Sequence, residues 1–259
     1  MWKPYLHSVS RFIMAIVCIL IVTVHVYASS SRGGSTMSND SKKTVLMVVT
    51  SADHLLNGRE TGVWLEEFAV PFEIVAQAGF NVVVASPKGG AIPIDPHSLD
   101  DASRAKWTVA QKMLMDSKQL ANIRSKDFVA IFLPGGHGTM IDFPDSADLK
   151  RVLHDFSKED KVIAAVCHGP AGLVGAKNKD GFPLVSGKTM TSFTDAEETA
   201  IHLENAVPFL LESRLRAEGA KFVPGNNWAA HVEVDGHLVT GQNPASSAGV
   251  AHAIVKLLR

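Results

Sequence analysis

The sequence is short of cysteine, of net charge and of any apolar run that spans a membrane comfortably, and each shortage removes a class of protein. Its two cysteines are Cys18 and Cys167. The first lies in an apolar stretch, 12–26, that follows Lys3, His7 and Arg11 and closes on Val26-Tyr27-Ala28 before Ser29. A basic start, a short apolar core and a small closing residue mark an export signal, with an uncleaved N-terminal anchor as the alternative. No lipobox precedes Cys18, which argues against a lipoprotein. Loss of residues 1–28 leaves Cys167 alone, so no intramolecular disulfide can form, and its thiol is either buried and inert or reactive. The net charge of -1 supplies no field to gather nucleic acid or anionic lipid over distance. The histidines are scattered and no H-x-x-x-H or C-x-x-C spacing occurs, so a metal site has little support and none is expected. There is no internal repeat.

At 259 residues the chain has room for one large domain behind a leader. Residues 29–42, rich in Ser and Gly, cannot bury apolar area and read as a flexible linker, so the folded domain is expected over 43–259. Four continuous β-branched runs follow: 44–50 (TVLMVVT), 81–85 (NVVVA), 128–133 (FVAIFL) and 162–166 (VIAAV). Continuous rather than alternating apolar runs belong to strands covered on both faces of a parallel sheet. Helical stretches at 66–78 and 147–159 lie between them. The order predicts an α/β fold: a doubly wound, mostly parallel sheet with helices on both faces. The stretch 93–125, helical at 110–120 and poor in strand character, reads as an inserted helical cap. Short strands are expected at 185–191 and 222–224, a hairpin around Asp235-Gly236, and a closing helix over 246–258.

The chemistry concentrates where the run 162–166 ends on Cys167-His168-Gly169-Pro170. A strand running into a nucleophile, with Gly and Pro permitting a sharp turn into a helix, has the layout of a nucleophile elbow. A helix N-terminus and the adjacent His168 would both favour the thiolate, so a lowered pKa is expected for Cys167. A buried structural cysteine is the plain alternative. A second candidate is Leu133-Pro134-Gly135-Gly136-His137-Gly138-Thr139, whose glycines, after another strand, let backbone N–H groups converge on a substrate oxygen. Carboxylates come from Glu66 and Glu67, and from Asp195, Glu197 and Glu198; one held near the sulfur would have its own pKa raised and could shuttle a proton. Trp64 and Trp228 are candidates to line the pocket.

These segments resemble the ThiJ/PfpI superfamily, the class I glutamine-amidotransferase-like cysteine proteins with a flavodoxin-like sheet, and within it the glyoxalase III or Hsp31-like subgroup. The resemblance runs over 43–259 and is carried by four blocks in order: Thr61-Gly62-Val63-Trp64-Leu65-Glu66-Glu67, Ala164-Ala165-Val166-Cys167-His168-Gly169-Pro170, Phe193-Thr194-Asp195-Ala196-Glu197-Glu198 and Val239-Thr240-Gly241-Gln242-Asn243-Pro244-Ala245-Ser246. It implies that Cys167 is the nucleophile, His168 its base, Glu198 the acid orienting that histidine, and Glu67 the carboxyl touching sulfur. The implied oxyanion and substrate-binding cluster is Gly135, Gly136 and His137 with the amide of His168.

The implied activity is cofactor-free conversion of methylglyoxal, a 2-oxoaldehyde, and water to lactate through a Cys167 hemithioacetal, with deglycation of early adducts as an extension. A homodimer is implied, and membrane association is expected only if the leader stays uncut. Most members of the subgroup are intracellular, whereas this leader points to an exported, periplasmic or extracellular, protein. Three rivals share the residues: a holdase-type stress chaperone, a cysteine peptidase or amidase, and a redox sensor acting through the same thiol.

Overall fold

Alternate residues of the β-branched runs face opposite sides of one sheet. Val45, Met47, Ala130, Phe132, Val162 and Ala164 enter one core, while Leu46, Val48, Ile131, Leu133, Ile163 and Ala165 enter the other. With a side-chain period of two and apolar residues at every position, neither face can be left to water, so both must be covered.

The computed structural model describes residues 43–259; the leader and linker expected at 1–28 and 29–42 lie outside the described residues. The strands are β1 (Thr44–Val48), β2 (Asn81–Ser86), β3 (Lys118–Gln119), β4 (Ala130–Leu133), β5 (Val162–Val166), β6 (Thr189–Met190), β7 (Lys221–Phe222), β8 (Val232–Asp235) and β9 (Leu238–Gly241). Seven form one sheet in the order β3-β2-β1-β4-β5-β9-β8, and β6 pairs with β7 in a parallel pair of its own. All pairings in the large sheet are parallel except β8 on β9, the hairpin turned by Asp235-Gly236. The chain runs outward from β1 to β3 and then returns to β4 on the other side of β1. That reversal opens a crevice at the carboxyl ends of β1 and β4, where doubly wound sheets place their ligands.

The helices are α1 (Leu65–Gln77), α2 (Asp101–Lys106), α3 (Thr108–Met113), α4 (Thr139–Asp142), α5 (Ala147–Lys158), α6 (Asp195–Ala200), α7 (Leu211–Ala217) and α8 (Ser247–Leu258). Helix α5 covers one face of the sheet through Leu149, Val152, Leu153 and Phe156, an i, i+3, i+4, i+7 stripe, and the Ser146 hydroxyl caps it by accepting from the Leu149 N–H at 3.2 Å. Helices α1 and α8 cover the other face with Leu65, Phe68 and Val75, and with Val250, Ile254 and Val255.

The helix of the insert comes earlier than its composition suggests, in α2 and α3 rather than over 110–120. Helix α3 is confined to Thr108–Met113 and β3 follows, an edge strand whose two residues are exposed on both sides and so carry no apolar signal. The strand expected over 185–191 shrinks to Thr189–Met190. The insert is bound chiefly to the approach to α1: Val63 N–H donates to Pro93 O at 2.9 Å, Asp95 N–H to Val63 O at 3.0 Å, and Leu65 N–H to Ser98 Oγ at 3.1 Å. It therefore fixes the turn from which Glu67 projects.

Candidate functional site

Cys167 follows β5 directly and sits at φ 57°, a left-handed conformation that costs a non-glycine residue on the order of 1–3 kcal/mol. Two backbone bonds hold it there: its N–H donates to Gly241 O at 2.9 Å, and its carbonyl accepts from Phe193 N–H at 2.8 Å. The bend lifts the side chain out of the strand direction, as an elbow requires. Close packing completes the turn, since a Cβ on Gly169 would lie 2.1 Å from Leu133 O. Gly169→Ala is therefore expected to destabilise the fold by about 1–3 kcal/mol or more, measured by urea unfolding. A change under about 0.5 kcal/mol, the level of an ordinary surface substitution, would mean that the turn is looser than described.

Past the elbow the chain does not enter an α-helix, contrary to expectation. Residues Gly169–Leu173 form a single 3-10 stretch. The dipole of so short an element gives the sulfur little help. The expected fall in the thiol pKa is overturned with it: burial first, and then the neighbouring Glu67, push Cys167 well above the ordinary thiol range, against which the N–H of His168 pulls only partly. Burial thus favours the thiol over the thiolate.

Two side chains, Glu67 and His168, face that sulfur. Glu67, in the first turn of α1, is fully buried; burial drives its pKa from 4.5 up to about 8, opposed in part by hydrogen bonds with Cys167 and the Gly135 amide. Its Oε2 accepts from Gly135 N–H at 2.8 Å, while Oε1 has no partner within hydrogen-bonding distance among the described residues. With its pKa raised to about 8, the carboxyl is protonated at neutral pH.

His168 Nδ1 lies 3.3 Å from Sγ, and its Nε2 lies 2.7 Å from Glu198 Oε2. Burial works to raise the Glu198 pKa, but His168 and His137 overcome it and hold the carboxyl well below the usual range. An ionised carboxylate only accepts, so Nε2 of His168 bears the hydrogen and Nδ1 is left as a bare acceptor facing the thiol. Burial, with His137 beside it, keeps the His168 pKa below its ordinary value and so holds the ring neutral. The arrangement is a relay from Sγ through imidazole to carboxylate.

His137 Nε2 donates to the other oxygen, Glu198 Oε1, at 2.8 Å, and the two imidazoles lie 3.9 Å apart between centroids. The donor atoms of His137, His168 and Glu198 fall within 4.8 Å of one another, a set that suits a divalent metal. Sequence spacing could not show it, because His137 and His168 come from two separate loops and Glu198 from helix α6. Both imidazole N–H groups are, however, committed to the carboxylate, so the cluster as it stands is a hydrogen-bonded relay.

The glycine loop divides its duties. The Gly135 N–H is taken by Glu67 and so is not available to a substrate oxygen, which corrects the role expected of it. Gly136, at φ 96°, is packed so that a Cβ would lie 2.3 Å from Gly62 O, and its N–H has no partner among the described residues. It and the amide of His168 are the donors left for an oxyanion. The Thr139 hydroxyl, 2.9 Å from both Gly136 O and His168 O, holds the two loops together.

Glu66 is exposed and Asp195 is turned toward Ser213, so neither belongs to the site. Glu197 is fully buried yet faces away from the sulfur: its Oε2 accepts from the Thr194 N–H at 3.1 Å and from the Thr194 hydroxyl at 3.0 Å, which closes a capping box on α6. The T-x-x-E spacing of residues 194–197 carried that signal in the sequence and distinguishes Glu197 from Glu198.

Comparison with known proteins shows the family of the chain. The DJ-1/PfpI family model matches residues 59–257. Over 84% of its length the chain is 32% identical to the glutathione-independent glyoxalase HSP31 of Saccharomyces cerevisiae, spanning 98% of that protein. Over 83% it is 28% identical to the protein/nucleic acid deglycase HchA of Pseudomonas aeruginosa, spanning 81% of it. In three dimensions it is similar to the Rapid Encystment Protein of Francisella tularensis, with a TM-score of 0.79 at 35% identity over 84% of this chain and 99% of that one. The matched span contains every loop of the site, from Glu67 to Asn243, and the chain belongs to the DJ-1/PfpI family.

Proposed function

We propose that the protein is a cofactor-independent glyoxalase acting on 2-oxoaldehydes, with methylglyoxal converted to lactate at Cys167. The observation that carries this reading is the relay Sγ to His168 to Glu198, at 3.3 and 2.7 Å, in a site whose cysteine is only 4% exposed. A sulfur so little exposed suits a small substrate, whereas a peptidase must seat an extended polypeptide. The likeness to a glutathione-independent glyoxalase and to a deglycase supports the same substrate chemistry.

His168 Nδ1 takes the thiol proton as sulfur attacks the aldehyde carbon. The C–S bond forms, and the carbonyl oxygen becomes an oxyanion facing the amides of Gly136 and His168. The hydrogen on the attacked carbon then leaves as a proton and the neighbouring ketone carbon gains one, through an enediol. Glu67, buried beside the sulfur and protonated at neutral pH, is the group we assign to exchange these protons. The product of this shift is a thioester; water cleaves its C–S bond, releasing lactate and returning the proton to sulfur. One carbon is oxidised while its neighbour is reduced, so the balance needs no external oxidant or reductant. Early glycation adducts that release or present the same carbonyl would enter by the same attack.

Purified protein is expected to form lactate from methylglyoxal with no added thiol or metal, followed by a lactate-specific assay. Absence of lactate above the uncatalysed rate would remove the reading. We also propose that residues 1–28 direct export, a reading that N-terminal sequencing of the protein outside the cytoplasm would check, and that the protein acts as a homodimer, which its mass in solution would check.

A further inference from the structure

Helices α5 and α7 each present one cation to the same cleft. On α5, Leu149, Val152 and Leu153 are buried, and Lys150 emerges half-buried beside them. On α7, Leu211 and Leu215 are buried and Arg214 is exposed. The cleft that both cations line encloses about 490 Å³, a volume in the range of small-molecule sites. Ile141 of α4, Phe209 and the mostly exposed Leu56 give it apolar surface. No residue of the sulfur site lines it.

The charges do not cancel within the cleft. Arg214 and Glu218 stand four apart along α7 and its C-terminal cap, the spacing at which such residues ordinarily pair. Glu218 is instead turned to the chain: both of its oxygens accept from the Gly175 N–H, at 3.0 and 2.9 Å. Arg214 lies over Phe209, its guanidinium carbon 4.7 Å from the ring centroid, and its side chain has no ion pair or hydrogen bond among the described residues. Stacking occupies the face of the guanidinium and leaves its edge, with the fork of N–H donors, free for a carboxylate. Lys150 has no ion pair among the described residues either; its ammonium lies against the backbone of Gly175, where a Cβ would be 3.1 Å away. The remaining carboxylate of the lining, Asp145, is exposed. Two unpaired cations beside apolar surface, against one exposed carboxylate, favour an anion with an apolar body.

We propose that this cleft is a second site on the chain, for a small carboxylate with an apolar body: Lys150 and Arg214 take its oxygens, and Leu56, Ile141 and Phe209 take its carbon chain. Neither Cys167 nor the reaction proposed above enters the argument, so the cleft is tested apart from both.

Octanoate is the probe, titrated calorimetrically into the purified protein, and it is expected to saturate at one per chain. Octylammonium, with the same tail and the opposite charge, and acetate, with the charge and almost no tail, should each bind at least about tenfold more weakly. Lys150→Met and Arg214→Met keep most of the stem and lose the charge. Neither side chain belongs to the core, so the variants are expected to fold, which their melting midpoints check. Each should weaken octanoate about tenfold, in line with the loss of one hydrogen bond to a charged group. Asp145→Asn removes the opposing charge and should strengthen binding by up to about fivefold. Absence of saturable octanoate binding would overturn the site, as would octylammonium binding as tightly as octanoate. So would an affinity within about twofold of wild type in the double variant of Lys150 and Arg214, too small a change for the loss of two charge-assisted contacts.

Discussion

Cys167→Ala is expected to fold and to form no measurable lactate, with kcat/KM lowered by about 10⁴-fold or more. Only one sulfur is removed from a residue whose backbone bonds to Gly241 and Phe193 are untouched, so the stability change should stay within about 1 kcal/mol. His168→Ala should lose nearly as much activity, because without the imidazole the buried thiol has no acceptor at Nδ1 and keeps its proton. The double variant should be little worse than either single one, since groups that act as one relay do not contribute independently. Suppression of aggregation, if the chain also serves as a holdase, would survive in Cys167→Ala. A rate within about tenfold of wild type in that variant would leave no role for a nucleophile, given the losses that nucleophile removal causes elsewhere.

Which parts of this arrangement were legible in the sequence depends on how local their causes are. Strands β1, β4 and β5 were visible because burial on both faces demands apolar residues at nearly every position, β2 because its run of valines stays apolar even where half-buried, and helix α5 because its apolar residues follow a single stripe. Strand β3 was hidden: it is short and exposed, and its pairing is set by the neighbouring β2 rather than by its own residues. The helix expected after Cys167 failed for a different reason. Gly169 must pass within van der Waals contact of Leu133, and the turn tightens into a 3-10 stretch to do so.

At the site, the residue types were readable but the electrostatics were not. His168 beside Cys167 suggested a cation stabilising a thiolate, yet a neutral imidazole and a protonated thiol are what burial produces. The second bond of Glu198, to His137, joins residues from different crossovers, and no spacing along the chain encodes it. The role of Gly135 was likewise set at a distance, by a carboxylate on α1 that claims its N–H. Asn243 belonged to a matched block without a stated purpose; its two bonds, to Glu197 and Ala229, supply one.

Glu67→Gln should alter both the rate and its pH dependence. In the wild type the carboxyl is protonated at pH 7 and loses its proton as pH passes about 8. Above that point a carboxylate stands beside the sulfur, opposing its ionisation, and the proton donor is gone, so kcat/KM should fall. The glutamine variant keeps the shape and an acceptor for Gly135 N–H but exchanges no proton, so kcat should drop by about 10²–10⁴-fold and the alkaline decline centred near 8 should disappear. Stability gives an independent reading. The folded state binds a proton at Glu67 that the unfolded chain, with a pKa of 4.5, releases, so the contribution is fully present below pH 4.5 and is lost as pH rises toward about 8. A shift of that size is worth on the order of 4–5 kcal/mol over the full span, and Glu67→Gln should therefore match wild type at pH 4.5 yet be more stable by a few kcal/mol at pH 8, in urea titrations at each pH. Parallel stability curves for the two proteins between those pH values would show that the carboxyl ionises normally, and the proton-shuttle role would go with it.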